Sequence, residues 1–172
     1  ITNHDQNSWN GTEYERLPGF VKRFSALYFT VPGMPLIYSG QEVGFNRRLA
    51  FFDKDEINWP KSSPMTAFYT KLISLKTKNP ALWNGGAGGD LLQYEGTNEK
   101  VLTYTRHRGS NKVVVAINLS SSKAKTTIAT GKTFKGSYYD YNSGSKVTVS
   151  KNSITVNVPA GSFVIYSTAK AN

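Results

Sequence analysis

Residues 101–120 read VLTYTRHRGSNKVVVAINLS. Two runs rich in β-branched and aromatic residues flank the turn signal Gly109-Ser110-Asn111, and both read as strands. Working outward, the same texture fills the second half of the chain. Strands are expected at Leu91–Glu95, Val101–His107, Lys112–Leu119, Lys125–Thr130, Ser137–Tyr141, Lys146–Val149, Ser153–Val158 and Ser162–Ser167. Several alternate strictly: Val147 and Val149 against Thr148 and Ser150, and Ile154, Val156 and Val158 against Thr155 and Asn157. Asn142-Ser143-Gly144, Lys151-Asn152 and Pro159-Ala160-Gly161 supply the turns. Short strands at regular spacing predict an antiparallel Greek-key β-sandwich over residues 90–172, with a core of its own.

Toward the N-terminus the pattern changes. Gly85-Gly86-Ala87-Gly88-Gly89 reads as a hinge, which makes 81–89 a linker. Before it, Leu17, Phe20, Val21, Phe24, Leu27 and Tyr28 repeat at the spacing of an amphipathic helix. Thr12 with Glu15 forms a capping box, Pro18 predicts a break, and Val31-Pro32-Gly33 ends the helix. Met34-Pro35-Leu36-Ile37-Tyr38, closed by Ser39-Gly40, is apolar without alternation and predicts a strand buried on both faces. Residues 45–63 form a loop rich in aromatic residues. Ser63 then caps a second helix with Pro64 at its first position and Phe68, Leu72, Ile73 and Leu75 as its stripe, ended by Asn79-Pro80. Helix, strand, loop and helix make one and a half βα units. A complete (β/α)8 barrel takes at least about 200 residues, so residues 1–80 are expected to be a piece of one. The fold class is α/β followed by all-β.

Composition narrows the function. Hydrophobic residues are 38% and charged residues 19% of the 172, a globular balance and not a disordered one. No apolar run reaches the ~18 residues of a membrane span. The absence of cysteine excludes disulfides, thiolate zinc sites and a cysteine nucleophile, and two histidines make a histidine-rich metal centre a poor reading. Without cysteines the compartment stays open, the outside or the periplasm being preferred to the cytoplasm. The chain opens at Ile1 with neither Met nor a basic and apolar leader, and reads as processed or truncated. The formal charge of +10 raises the question of nucleic acid. However, the lysines of the second half are scattered singly along strands, and the Tyr138-Tyr139-Asp140-Tyr141 run has no alternating basic residues. Solvated strand faces and edge protection are therefore the preferred reading, with no nucleic-acid partner.

The densest polar cluster is Thr2-Asn3-His4-Asp5-Gln6-Asn7, before a helix, where βα loops carry sites. On residue types alone, a turn and cap explain it as well as a ligand site does. Asn3-His4-Asp5 resembles the last of the short sequence regions of the α-amylase superfamily, glycoside hydrolase family 13, at the end of the seventh barrel strand. Pro32-Gly33-Met34-Pro35-Leu36-Ile37-Tyr38-Ser39-Gly40-Gln41-Glu42-Val43-Gly44 is similar to the family's eighth strand. Val101–Arg106, Val113–Ser120, Tyr138–Gly144 and Val158–Ser162 resemble its C-terminal sandwich.

The resemblance implies an α-glucan substrate and a retaining mechanism. It makes Asp5 the carboxylate that hydrogen-bonds the sugar and stabilises the transition state, with His4 and Asn3 as substrate-binding neighbours. It also implies a partner, the N-terminal remainder of the barrel, where the nucleophile, the general acid and any calcium of the enzyme would lie. No cofactor or metal ligand set is evident in this chain. Gln41-Glu42 reads as a loop anchor. Asp53, Asp55 and Glu56 lack the spacing and turn glycine of a calcium loop and read as solvated. Trp9, Tyr14, Phe51, Phe52 and Trp59 read mainly as core, with sugar stacking as the other role. The competing function is a stand-alone carbohydrate-binding β-module.

Overall fold

The computed structural model describes residues 1–171. Three helices precede eight strands: α1 (Glu13–Arg16), α2 (Val21–Thr30), α3 (Pro64–Lys78), then β1 (Asp90–Gln93), β2 (Val101–Arg108), β3 (Asn111–Asn118), β4 (Ala124–Ile128), β5 (Gly136–Asp140), β6 (Lys146–Val149), β7 (Ile154–Val158) and β8 (Phe163–Ser167). Each of the eight strands expected in the second half forms, with ends shifted by a residue or two. The local helix signals also hold. The Thr12 hydroxyl accepts from the Glu15 amide while the Glu15 carboxylate accepts from the Thr12 amide. Pro18 pushes Leu17 out of helical backbone and separates α1 from α2. The Ser63 side chain caps α3, with Pro64 at its first position.

All strand pairs are antiparallel. Six strands form one sheet in the order β1-β2-β3-β8-β5-β6, and β4 pairs with β7 in a second sheet. Side-chain alternation explains the layers. From β3, Val114 and Ala116 join Val164, Tyr138, Ile128, Ile154, Val156 and Val158 in the interior between the two sheets. The intervening Val113, Val115 and Ile117 point to the opposite face, where they meet Phe29, Tyr69, Leu72, Leu75 and Leu82. The large sheet is thus covered on both faces at its centre, which is why β3 reads as an unbroken apolar run while β7 alternates cleanly.

The stretch 81–89, expected as a linker, is a seam packed tightly at its two ends, Ala81–Leu82 and Gly88–Gly89. Ala81 and Leu82 have no exposed surface. A Cβ on Gly88 would lie 2.0 Å from the Trp83 carbonyl oxygen, and one on Gly89 would lie 2.3 Å from that of His107. These glycines serve close backbone approach rather than flexibility. Three cations bind the seam's carbonyls: Lys76 Nζ donates to Leu82 O at 2.8 Å, Arg106 donates to Trp83 O and Gly89 O, and Arg108 donates to Gly86 O and Gly88 O.

One expectation fails. Met34–Tyr38 joins no ladder, and Met34 and Leu36 are 81% and 52% exposed. Two of its amides are taken by side chains: Leu36 N donates to the Tyr28 hydroxyl and Tyr38 N to Gln41 Oε1. A strand needs a neighbour to satisfy its backbone, and none of the eight strands lies beside this segment. The barrel part of the expected fold is accordingly not seen as a sheet.

Glu13 is buried with both carboxylate oxygens unpartnered. Desolvation pushes its carboxyl up to about 7, against the Ile1 amine and Arg16, which favour the charge. Tyr14 and Tyr69 also feel the Glu13 charge. A carboxyl whose folded value is raised binds more protons folded than unfolded between 4.5 and about 7, so stability falls as pH rises through that window. The 172-residue chain should melt at a higher temperature at about pH 5 than at about pH 8. Glu13→Gln should raise the melt at the higher pH and leave the lower nearly unchanged. A second expectation concerns the layers. Residues 90–172 expressed alone keep the inter-sheet interior but uncover Val113, Val115, Ile117 and Ile165. That segment should still melt cooperatively, at a lower temperature than the whole chain, and should bind a hydrophobic dye that the whole chain does not.

Candidate functional site

Residues 4–10 are helical, with a π-turn at Gln6–Asn10, and not the end of a strand. Asn3 opens this turn: its Oδ1 accepts from the Gln6 amide at 2.8 Å and its carbonyl from the Asn7 amide at 2.9 Å. Of the expected trio, Asn3 is therefore the cap, while His4 and Asp5 keep their side chains free for other work. His4 Nε2 stands 3.4 Å from Asp5 Oδ2, with both side chains more than half exposed.

A second segment folds over this turn. Asn7, 5% exposed, donates from Nδ2 to Arg47 O at 3.2 Å and accepts at Oδ1 from Leu49 N at 2.7 Å, so one side chain amide stands in for a backbone partner. Thr12 donates to Asn46 Oδ1 at 2.6 Å. Arg48 forks onto Glu15, both contacts at 3.1 Å. Arg47 forks onto Asp55 at 2.7 Å twice, and Asp55 Oδ2 also accepts from Ala50 N. Bidentate guanidinium–carboxylate pairs fix direction as well as distance. The Arg47 fork and the Ala50 amide pull the Asp55 carboxyl down to about 2, and the Arg48 fork with the Thr12 amide does the same for Glu15.

Asp55, expected as a solvated loop residue, is instead the inner half of the loop's main clamp. Its signal in the sequence was the neighbouring Arg47-Arg48, which reads as surface charge until the fold closes the loop. Asn7 carried no signal beyond its polarity. Gln41 holds as the expected anchor: it is 3% exposed and donates to the Tyr69 hydroxyl, which also bonds Ser25.

The clamped loop brings aromatic residues against His4. Phe51 lies 5.9 Å from the His4 ring and 5.3 Å from Trp9, and Phe52 lies 4.9 Å from Phe51. Trp9, Phe51, Phe52 and Trp59, expected mainly as core, are 57%, 41%, 83% and 53% exposed. A shallow groove of about 780 Å3 along α3, lined by Trp59, Ser63, Thr66 and Lys71, contains neither His4 nor Asp5. No group of three or more metal-ligating residues converges among the described residues, and no helix among them is long and apolar enough to cross a membrane.

Residues 93–169 match the family described as "Alpha amylase, C-terminal all-beta domain". Over those residues the chain is similar to the C-terminal domain of α-amylases. The chain is 31% identical over 109 residues to the alpha-amylase MalA of Haloarcula japonica, covering 60% of this chain and 15% of that protein. It is 22% identical over 164 residues to a beta/alpha-amylase of Paenibacillus polymyxa, covering 94% of this chain and 12% of that one. In fold it resembles the maltogenic alpha-amylase AmyB of Thermotoga neapolitana, with a TM-score of 0.77 at 19% identity over 96% of this chain and 39% of the other. The chain thus spans a small part of the curated amylases it matches. In the region that matches, the six-stranded sheet presents one face to its small partner sheet and the other to α2 and α3.

The loop clamp generates a measurable expectation. Depressed carboxyl values mean that the Arg47–Asp55 and Arg48–Glu15 contributions are present above the ordinary values of 3.8 and 4.5 and are lost as pH falls toward about 2. Asn7→Ala and Asp55→Asn should each raise amide hydrogen exchange at Leu49 and Ala50 by roughly tenfold or more at neutral pH. Amides at the centre of β3 should be unaffected. Equal protection in the variants would show that the loop is held by something other than these side chains.

Proposed function

We propose that the chain is the C-terminal part of an α-amylase-type glycoside hydrolase that cleaves α-glucans, such as starch or maltooligosaccharides, with retention. Residues 1–80 close a (β/α)8 barrel whose earlier strands lie upstream, and residues 90–172 form the C-terminal domain, with 81–89 as the seam between them. The observation that carries the reading is the exposed His4–Asp5 pair, 3.4 Å apart and bounded by the clamped loop. A site of this kind needs a carboxylate that is unspent on the fold and held next to a hydrogen-bond donor. Asp5 meets these needs, since its close polar contact among the described residues is to His4.

The unpaired Met34–Tyr38 run supports the barrel reading. Its exposed Met34 and Leu36 and the lack of a ladder are what a barrel strand presents when neighbours from elsewhere in the protein complete its pairing. The names of the relatives supply the substrate class.

In the mechanism, Asp5 accepts hydrogen bonds from hydroxyls of the sugar at the cleavage point. Those hydroxyls become stronger donors as positive charge develops and the ring flattens, so the contact tightens in the transition state. His4 donates to the same ring. The nucleophile and the general acid, which stand about 5–5.5 Å apart in retaining enzymes, belong to the upstream strands.

Two outcomes check this. In the full-length enzyme, Asp5→Asn should lower kcat by about 10²–10³, move KM much less and leave the thermal melt unchanged. The 172-residue chain purified alone should not hydrolyse starch. Near-wild-type kcat in Asp5→Asn, or turnover that tracks the pure chain, would overturn the assignment.

A further inference from the structure

The middle of the 81–89 seam is its loose part. Asn84 enters a single 3₁₀ turn, Gly85–Ala87, with extended backbone (φ −98°, ψ 156°). Its side chain makes no hydrogen bond among the described residues, and its Oδ1 is buried without a partner. Asn79 and Asn118 differ, since both spend the two ends of their side-chain amides on hydrogen bonds. The residue after Asn84 is Gly85, whose amide opens the turn and finds no acceptor within it. Gly85 is exposed, and a Cβ added to it or to Gly86 would meet nothing within 4 Å. Two of the seam's cations stand close by: Arg106 donates to Trp83 O at 3.0 Å and Arg108 to Gly86 O at 2.6 Å. An unheld side-chain amide, an unhindered backbone amide directly after it and neighbouring positive charge together favour cyclisation of the asparagine on its own chain.

We propose that Asn84-Gly85 is a site of spontaneous deamidation that loosens the seam. The Gly85 amide nitrogen gives its proton to hydroxide and attacks Asn84 Cγ. The new N–C bond closes a five-membered imide, the Cγ–Nδ2 bond breaks, and the nitrogen leaves as ammonia after taking a proton from water. Water then opens one of the two imide C–N bonds. One opening leaves aspartate on the original backbone. The other leaves isoaspartate, whose backbone runs through the side-chain carbon and is one atom longer. Glycine favours the attack because no Cβ hinders its nitrogen and its backbone rotates freely. The cations favour both the amide anion and the carboxylate product. Isoaspartate lengthens the chain between Trp83 and Gly88, where there is no slack: a Cβ on Gly88 would stand 2.0 Å from Trp83 O. It therefore moves Trp83 O off Arg106. The chain carries its own comparison in Asn10-Gly11. There Asn10 Nδ2 donates to Gln6 Oε1 at 3.4 Å, and a Cβ on Gly11 would lie 3.0 Å from Glu15 and 3.1 Å from Arg48. Folding braces that dipeptide and leaves Asn84-Gly85 open.

The test ages the folded 172-residue chain in mildly alkaline buffer and follows the amide-to-acid mass gain of each peptide by mass spectrometry, with isoaspartate read by its specific methyltransferase. Residue 84 should convert about tenfold faster than residue 10 in the folded chain, and the two should convert at similar rates in urea, where only the shared dipeptide acts. The aged chain should melt at a lower temperature than fresh protein. Asn84→Ser, which gives up no hydrogen bond of the Asn84 side chain, should fold, gain no mass at that peptide and keep its melting temperature on ageing. Asn84→Asp carries the charge without the longer backbone and should melt close to fresh protein. Residue 10 converting as fast as residue 84 in the folded chain, or residue 84 converting only in urea, overturns the site. An aged chain that carries isoaspartate at residue 84 and melts unchanged overturns its effect on the seam. An Asn84→Asp chain as unstable as the aged one overturns the role of backbone length.

Discussion

The fold depends on buried cations that donate to backbone carbonyls. Arg106 has 2% of its surface exposed, yet it faces no carboxylate hydrogen bond. Its guanidinium donates to Gly89 O and Trp83 O in the seam and, at 3.4 Å, to Thr30 O at the end of α2. A helix C-terminus carries unsatisfied carbonyls and the negative end of the helix dipole, so a cation fits there. Lys76 repeats the arrangement from α3 onto Leu82 O, where burial pulls its ammonium down to about 8. Arg23 reaches from α2 to Asn118 O at the end of β3 and to Gly19 O, with its guanidinium 3.6 Å over the Phe20 ring. Each of these side chains ties a helix to the seam or to the sheet. Removing one would strand one to three buried carbonyls.

These contacts also reinterpret the basic balance of the chain. Part of the +10 formal charge is spent inside the molecule on carbonyl oxygens. A count of lysines and arginines cannot separate a cation that closes a seam from one that faces a polyanion. Buried asparagines do related work without charge. Asn79 joins the end of α3 to Lys112 O and the Ser167 hydroxyl, and Asn118 gathers the carbonyls of Ser122, Val158 and Pro159. Both are fully buried, and both replace backbone pairing where strands and helices end.

The seam bears on the candidate site through rigidity. Because α2 and α3 are locked to the six-stranded sheet, the 3–16 segment and the 45–56 loop fold against a fixed surface. Gln41, Tyr69 and Ser25 continue the line of contacts from α2 through α3 to the start of that loop. The site then needs little of its own. Asn7 and two arginine forks set the loop, and the exposed rings and the His4–Asp5 pair fall on one side of it.

What the sequence by itself determined is whatever one stretch of chain decides locally. The Thr12–Glu15 box, the Pro18 break, the Ser63-Pro64 start of α3 and all eight strands were legible, because capping, proline sterics and period-two alternation act within a few residues. The tertiary structure alone decided where those pieces meet. Met34–Tyr38 has the composition of a central strand, but a strand is a relation between two segments and this one has no partner among the described residues. Gly88 and Gly89 read as slack until Arg106, Arg108 and the Trp83 and His107 carbonyls closed around them. Asn7, Asp55 and the exposed Phe51 and Phe52 gained their meaning from contacts 40 or more residues apart for Asn7, and from a loop whose path no local rule sets. Burial and long-range pairing depend on the whole chain at once, and that is the physical reason the seam and the braced loop were invisible until it folded.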